Sequence, residues 1–189
     1  MRVSEGQLAI TPREQLAGLH HHGLVSARTW DLSDGMAQVR LVATPEADSG
    51  ADTTFALAAD EAHWVRFTQE GRWLLLQIAG DFGVDTSAVA YDASSQRVLR
   101  LRHERASDAW VWETSPDGLH FTEQQRSASA FPVSALRWEL EAGTYQPAQR
   151  VGSAMFDDLQ LANSGFADDF AGARRAELWT PGVLSEGGE

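Results

Sequence analysis

The chain of 189 residues contains no cysteine. Disulfides, thiolate metal sites and cysteine nucleophiles are therefore excluded. Basic residues are also scarce, since 15 Lys and Arg stand against 27 Asp and Glu, which gives a formal net charge of −12. Nucleic acids and anionic membranes are bound through an excess of Lys and Arg, so neither is expected as a partner.

Several familiar signatures are missing as well. The sequence has no Gly-x-Ser-x-Gly elbow, no phosphate-binding Walker loop and no dinucleotide fingerprint. Residues Met1–Gly6 show no basic segment followed by an apolar one, and no apolar run approaches membrane-spanning length. We expect a protein made without a secretion signal, or a trimmed one. The location is open, with a virion or the extracellular space favoured.

Apolar and polar residues alternate along much of the chain. Leu136, Trp138 and Leu140 alternate with three charged residues, and Trp110–Thr114 and Val98–His103 have the same period of two. This period is typical of strands with one buried face. Further strands are predicted at Gly6–Thr11, Ala37–Ala43, Thr53–Ala59, Trp64–Thr68, Trp73–Ile78, Ala88–Tyr91, Ser153–Leu161 and Phe166–Phe170.

Glycine-containing turns separate these segments, as in Ser33–Gly35, Pro116–Gly118 and Asn163–Gly165. Closely spaced strands with such turns indicate a sandwich or barrel. Helical periodicity is weak and is limited to short candidates at Thr11–Leu19 and Gly172–Leu178. The predicted fold is an all-β, mostly antiparallel sandwich of about a dozen strands with little helix.

The segment Trp64–Leu161 resembles a known module in the order of its motifs. The carriers are Ala56–Gln77, Gln96–Glu104, the strand–turn–strand Val111–Glu123 with its Ser-Pro-Asp-Gly turn, Leu136–Gln146 and Ala154–Leu161. This order is similar to concanavalin A-like, laminin G-like jelly-roll modules of secreted bacterial proteins and of minor tail proteins of actinobacterial phages. The resemblance implies a jelly roll and a structural or adhesive role in a larger assembly, such as a phage tail, capsid exterior or surface fibre.

The C-terminal segment 166–189 follows a predicted sandwich domain of residues 1–165. Phe166–Phe170, Trp179 and 182–189 resemble the opening strand of such a module, and Ser4–Gly6 recurs as Ser185–Gly187. Three interpretations stay open: the segment completes its own sandwich, it completes a neighbouring copy head to tail, or the short matches arise by chance. Other protein subunits, including further copies of this chain, are therefore expected partners.

Aromatic and arginine side chains are the candidate ligand contacts. Glycans stack on exposed rings, so we predict a site among the residues Trp64, Trp73, Arg100, Arg102, Trp110 and Trp112. The alternatives are that the rings fill the core and that the arginines pair across strands with Glu113. A carbohydrate-binding, lectin-like module is accordingly the second functional hypothesis.

Metal binding and glycan cleavage are considered for the acidic residues. Asp157, Asp158, Asp168 and Asp169 offer oxygen ligands for a structural calcium ion, although solvated edge-strand acids are the simpler interpretation. No other cofactor is expected, and His20–His22 is assigned to an exposed loop. Glu139 and Glu141 alternate opposite the apolar face and are interpreted as a solvated outer surface rather than as a catalytic pair. The sequence thus predicts that the chain is not an enzyme.

Overall fold

A computed structural model defines the fold. It describes residues 1–14, 17–162, 166–171 and 175–184, without the side chains of residues 4, 175 and 176. The predicted turn Asn163–Gly165 and the repeat Ser185–Gly187 lie outside the described residues, as do parts of the two helix candidates.

Fifteen strands and one short helix occur in the described part of the chain. In chain order these are β1 Arg2–Ser4, β2 Gln7–Ile10, β3 His20–Ser26, β4 Met36–Ala43, β5 Ala51–Ala58, β6 Trp64–Glu70, β7 Trp73–Gly80, β8 Gly83–Ala90, β9 Val98–Glu104, β10 Ala109–Ser115, β11 Thr122–Ala128, β12 Arg137–Thr144, β13 Ala154–Leu161, β14 Phe166–Asp168, α1 Arg175–Leu178 and β15 Trp179–Pro181.

The strands form two antiparallel sheets. The first sheet has the order β1-β2-β13-β4-β9-β10-β11, with β14 paired to β13, and the second sheet has the order β15-β3-β12-β5-β6-β7-β8. The predicted antiparallel all-β sandwich with little helix is therefore confirmed. Within the described residues, no helix is long and apolar enough to cross a membrane.

Two local predictions fail. The described part of Thr11–Leu19 contains no helix. His20–His22 belongs to strand β3 and not to an exposed loop, and its backbone pairs with Thr144, Gly143 and Ala142 of β12. A run of identical polar residues has no period of two, so the sequence pattern could not indicate this strand.

The core lies between the inner faces of the two sheets. On β12 the inner face carries Trp138, Leu140 and Ala142, and on β10 it carries Trp110 and Trp112. The sheets are also joined by a hydrogen bond, because the indole N–H of Trp112 donates to the backbone carbonyl of Arg66 at 2.9 Å. The period of two therefore places the core face of β12 correctly, whereas the face of β10 with Trp110 and Trp112 turns out to be the inner one.

The C-terminal segment contributes one strand to each sheet. Phe166–Asp168 pairs with β13, and Trp179–Pro181 pairs with β3. The indole N–H of Trp179 donates to Asp168 at 2.7 Å, which ties the two strands together. Completion of a neighbouring copy by this segment stays a prediction.

Candidate functional site

The outer face of the second sheet carries an unusual number of buried polar side chains. Side chains alternate across a strand, so the residues opposite the core on β3, β12, β5, β6 and β7 share this face. Its polar members are His21, Asp52, Thr54, Arg66, Thr68, Gln77, Glu139 and Glu141. We call this set the polar face.

A cross-strand row runs through the middle of the polar face. Glu139 pairs with Ala56, Ala56 with Arg66, and Arg66 with Gln77. The guanidinium Nε of Arg66 donates to the Gln77 carbonyl at 2.9 Å, and the Gln77 amide donates to the Thr86 hydroxyl at 3.2 Å. The row thus links the middle of the sheet to its edge strand β8.

Glu139 and Glu141 are the central feature of this face. Both are 0% exposed, although their alternation with apolar residues predicts a solvated surface. The period of two correctly predicts that both side chains lie opposite the core, but the prediction that they are exposed to solvent is wrong. Burying a carboxylate costs free energy unless it is paired, and such arrangements are concentrated at functional sites. Their α-carbons, two residues apart on one strand, are separated by about 7 Å.

A histidine–aspartate pair lies next to the glutamates. Nε2 of His21 is 2.9 Å from both carboxylate oxygens of Asp52, and both side chains are almost fully buried. The ring fits because Gly143 stands opposite it. A Cβ at Gly143 would lie 2.3 Å from the His21 ring. The ring of Tyr145 covers His21 at a centroid distance of 4.7 Å.

The polar face has an aromatic border. Trp64 packs against Ala58, Ala79 and Leu184, and the guanidinium of Arg66 lies 4.0 Å above its ring. Leu184 comes from the segment after β15, and its backbone N–H donates to Oε1 of Glu139. An aromatic ring, a cation and carboxylates therefore converge on one side of this sheet.

The six predicted ligand residues are divided among three places. Trp64 and Trp73 lie on the outer face of the second sheet, where Trp73 is 49% exposed and Trp64 is buried. Trp110 and Trp112 lie in the core, both at 0% exposure, because their shared face is the inner one. Because their rings lie in the core between the two sheets, a ligand on either outer face cannot contact them.

The predicted arginines lie on the outer face of the first sheet. Arg100 and Arg102 both donate to Glu113, with their Nε atoms at 2.7 and 3.2 Å. Arg100 also covers the ring of Phe121 at 3.4 Å. The suggested cross-strand partner Glu113 is therefore the one found, and this network lies on the opposite side of the sandwich from the polar face.

The predicted calcium ligands have other contacts. A register shift in β13 between Asp157 and Gln160 accompanies a left-handed φ of 47° at Asp158, whose carboxylate accepts from Arg40 Nε at 2.8 Å. Burial raises the pKa of Asp157. Asp168 accepts from Trp179, and Asp169 accepts from the backbone of Ala171 at 3.0 Å.

No group of three or more His, Asp or Glu side chains among the described residues is arranged to hold a metal ion. A structural calcium stays a prediction.

A separate cavity of about 650 Å³ opens at the loop end of the sandwich. Its lining includes Asp31, His103, Arg105, Asp108 and Phe131. Nε2 of the buried His103 lies 3.1 Å from Asp108. A polar ligand can also be sought in this cavity, whose lining contains none of the residues of the polar face.

No protein-family model matches the chain, and no curated protein matches its sequence. Solved structures do match. The legume lectin-like domain from Entamoeba histolytica superposes with a TM-score of 0.62 at 12% identity, covering 87% of each chain. The Crh5 transglycosylase in complex with NAG gives 0.60 at 13%, covering 89% of this chain and 80% of that one. A β-glucanase from Bacillus licheniformis gives 0.51 at 7%, covering 82% and 90%.

These matches identify the fold as the concanavalin A-like jelly roll of lectin-like domains and glycoside hydrolases. They also overturn one prediction. The prediction that the chain is not an enzyme is contradicted, because the same fold carries a transglycosylase and a β-glucanase and therefore gives no ground for excluding catalysis. None of these three structures is a phage tail, capsid or fibre protein, so the resemblance to tail proteins is not supported by them.

Proposed function

We propose that this chain is a carbohydrate-active protein that binds a glycan on the polar face. The observation that carries the proposal is the buried pair Glu139 and Glu141, which lies beside Arg66 and the ring of Trp64 on one outer sheet face. The assembly role in a tail, capsid exterior or fibre remains an expectation from the sequence alone.

The chemistry of a sugar matches this set of groups. A pyranose ring presents hydroxyls that donate to carboxylates, and it presents C–H faces that pack on an aromatic ring. Binding sites combine a few placed polar groups with apolar surface in this way. Glu139 and Glu141 supply acceptors, Arg66 and Gln77 supply donors, and Trp64 supplies the ring.

The lectin-like and glycan-processing neighbours favour the same ligand class. The Crh5 structure contains NAG, and the Bacillus licheniformis protein is a β-glucanase. The first structure suggests N-acetylglucosamine oligosaccharides as probes, and the second suggests β-glucan oligosaccharides. Their identity to this chain is low, so the choice between the two probes is left to the experiment.

The test is a calorimetric titration of both oligosaccharides into the wild type, Glu139→Gln and Glu141→Gln. We expect binding by the wild type and a loss of at least ten-fold in affinity in each variant, because each loses charged acceptor oxygens. Glu123→Gln is the matched control, since Glu123 is an exposed glutamate of β11 in the other sheet. Equal affinities in all four proteins would overturn the proposal.

Glycan cleavage or transfer is a second candidate. Glycosidases use two carboxyl groups, one as the general acid and one as the base or nucleophile. Glu139 and Glu141 lie on one face of one strand, which is an arrangement compatible with that division of labour. Incubation with the same oligosaccharides, followed by mass spectrometry, tests it. New products that disappear in Glu139→Gln and Glu141→Gln would support catalysis, and unchanged substrate would contradict it.

A further inference from the structure

The segment after β15 leaves the edge of the second sheet and reaches across its outer face. Trp179–Pro181 pairs with Ser26, Val25 and Leu24 of β3, and the N–H of Gly182 donates to the carbonyl of Gly23 at 3.2 Å. Two residues later, Leu184 contacts Glu139 and Trp64. The path therefore crosses from β3 toward β6, and we call residues 182–184 the strap.

The start of the strap is held against the sandwich by β15. Trp179 is buried, and its indole N–H donates to Asp168 at 2.7 Å. Its ring lies 6.2 Å from that of Phe170 between centroids. The strand pairing of β15 and these contacts fix the start of the strap to the body of the sandwich.

The far end of the strap makes two kinds of contact with the polar face. The Leu184 N–H donates to Glu139, and the Leu184 side chain packs against Ala58, Trp64 and Ala79. These contacts combine a hydrogen-bond donor for a carboxylate with an apolar surface for an aromatic ring. A sugar ring offers the same combination through a hydroxyl and a C–H face.

We propose that the strap is an internal competitor that must move before a glycan reaches Glu139 and Trp64. This inference rests on the proposed glycan site. A bound sugar replaces the Leu184 N–H with a hydroxyl and the Leu184 side chain with a ring face. The ligand is thus a sugar in which a hydroxyl lies next to an unsubstituted C–H face. Its apparent affinity is reduced by the fraction of molecules in which the strap is closed.

A reversible crosslink provides the test. The chain has no cysteine of its own, and the Leu184 side chain packs against the cluster that contains Ala58 on the outer face of β5. The double variant Ala58→Cys with Leu184→Cys therefore offers one disulfide, whose formation is checked by mass and which holds the far end of the strap on the polar face. We titrate an N-acetylglucosamine pentamer and a β-glucan oligosaccharide into its oxidised and reduced forms. At least ten-fold weaker binding in the oxidised form is expected.

A second variant loosens the strap in the full chain. Leu184→Asp removes the packing on Trp64 and places a negative charge beside Glu139, which repels the strap from the face. We expect at least ten-fold tighter binding than in the wild type. Leu119→Asp, at a residue that is 80% exposed elsewhere on the molecule, is the matched control and binds like the wild type.

The titrations distinguish a failure of the strap inference from a failure of the proposed glycan site. If oxidised, reduced and Leu184→Asp proteins bind the oligosaccharide with the same affinity, or if Leu184→Asp binds more weakly, the strap inference is overturned and the glycan site stands. If no protein binds either oligosaccharide, including Leu184→Asp, the proposed glycan site fails and the strap inference fails with it.

Discussion

The backbone N–H of Leu184 donates a hydrogen bond to the carboxylate of Glu139, which lies 45 residues earlier in the chain. This contact joins the C-terminal segment to the middle of the polar face. It also contributes to the shielding of this outer-face glutamate from water. The proposed glycan site and the segment that covers it are thus joined by this contact.

Core stability depends on the hydrogen bond between Trp112 and Arg66. Trp112→Phe keeps an aromatic ring in the core but leaves the buried carbonyl of Arg66 without its indole donor. We expect the free energy of unfolding to fall by about 1–3 kcal/mol. Urea denaturation followed by circular dichroism measures it. Trp73→Phe, at a half-exposed ring, is the control and is expected to change stability by less than about 0.5 kcal/mol.

The arginine network of the first sheet is expected to be structural. Glu113→Gln weakens the charged acceptor shared by Arg100 and Arg102, and we expect it to cost about 1–3 kcal/mol of stability. Glycan affinity should stay within two-fold of the wild type, because this network lies on the opposite side of the sandwich. Affinity losses in Arg100→Ala and Arg102→Ala similar to that of Glu139→Gln would instead support the arginine site predicted from the sequence.

Acid sensitivity is expected at Glu104. Hydrogen bonds from Ser107, Arg126 and Arg102 lower the pKa of Glu104 from 4.5 to about 2. A lowered pKa in the folded state adds stability above the unfolded value, and this stability is lost as the pH falls from about 4.5 toward 2. Glu104→Gln should unfold with a shallower dependence on pH in that window, and Ser107→Ala should be intermediate. Identical pH profiles for all three proteins in urea denaturation would contradict this assignment.

The fold was largely predictable because its signals are local. Alternation in Leu136–Leu140 and glycine turns such as Pro116–Gly118 are encoded within a few residues. Strand β3 was missed, since three consecutive histidines carry no alternation and its pairing partner β12 lies more than a hundred residues away in sequence.

The site was less predictable because burial depends on distant segments. The sequence placed Glu139 and Glu141 on the face opposite the core, but the contact from Leu184 depends on how the C-terminal segment folds back. In the same way, periodicity showed that Trp110 and Trp112 share a face without showing that this face is the inner one. His21 and Asp52, 31 residues apart, gave no local signal at all.

Mapping where a glycan binds tests the proposed site on the polar face. Backbone chemical shifts of the ¹⁵N-labelled chain are recorded during titration with the N-acetylglucosamine pentamer and with the β-glucan oligosaccharide. We predict that the largest changes occur at Arg66, Glu139, Glu141 and Leu184. Changes confined to the loop-end cavity at Asp31, His103 and Asp108, with the polar face unaffected, would contradict a glycan site on the polar face.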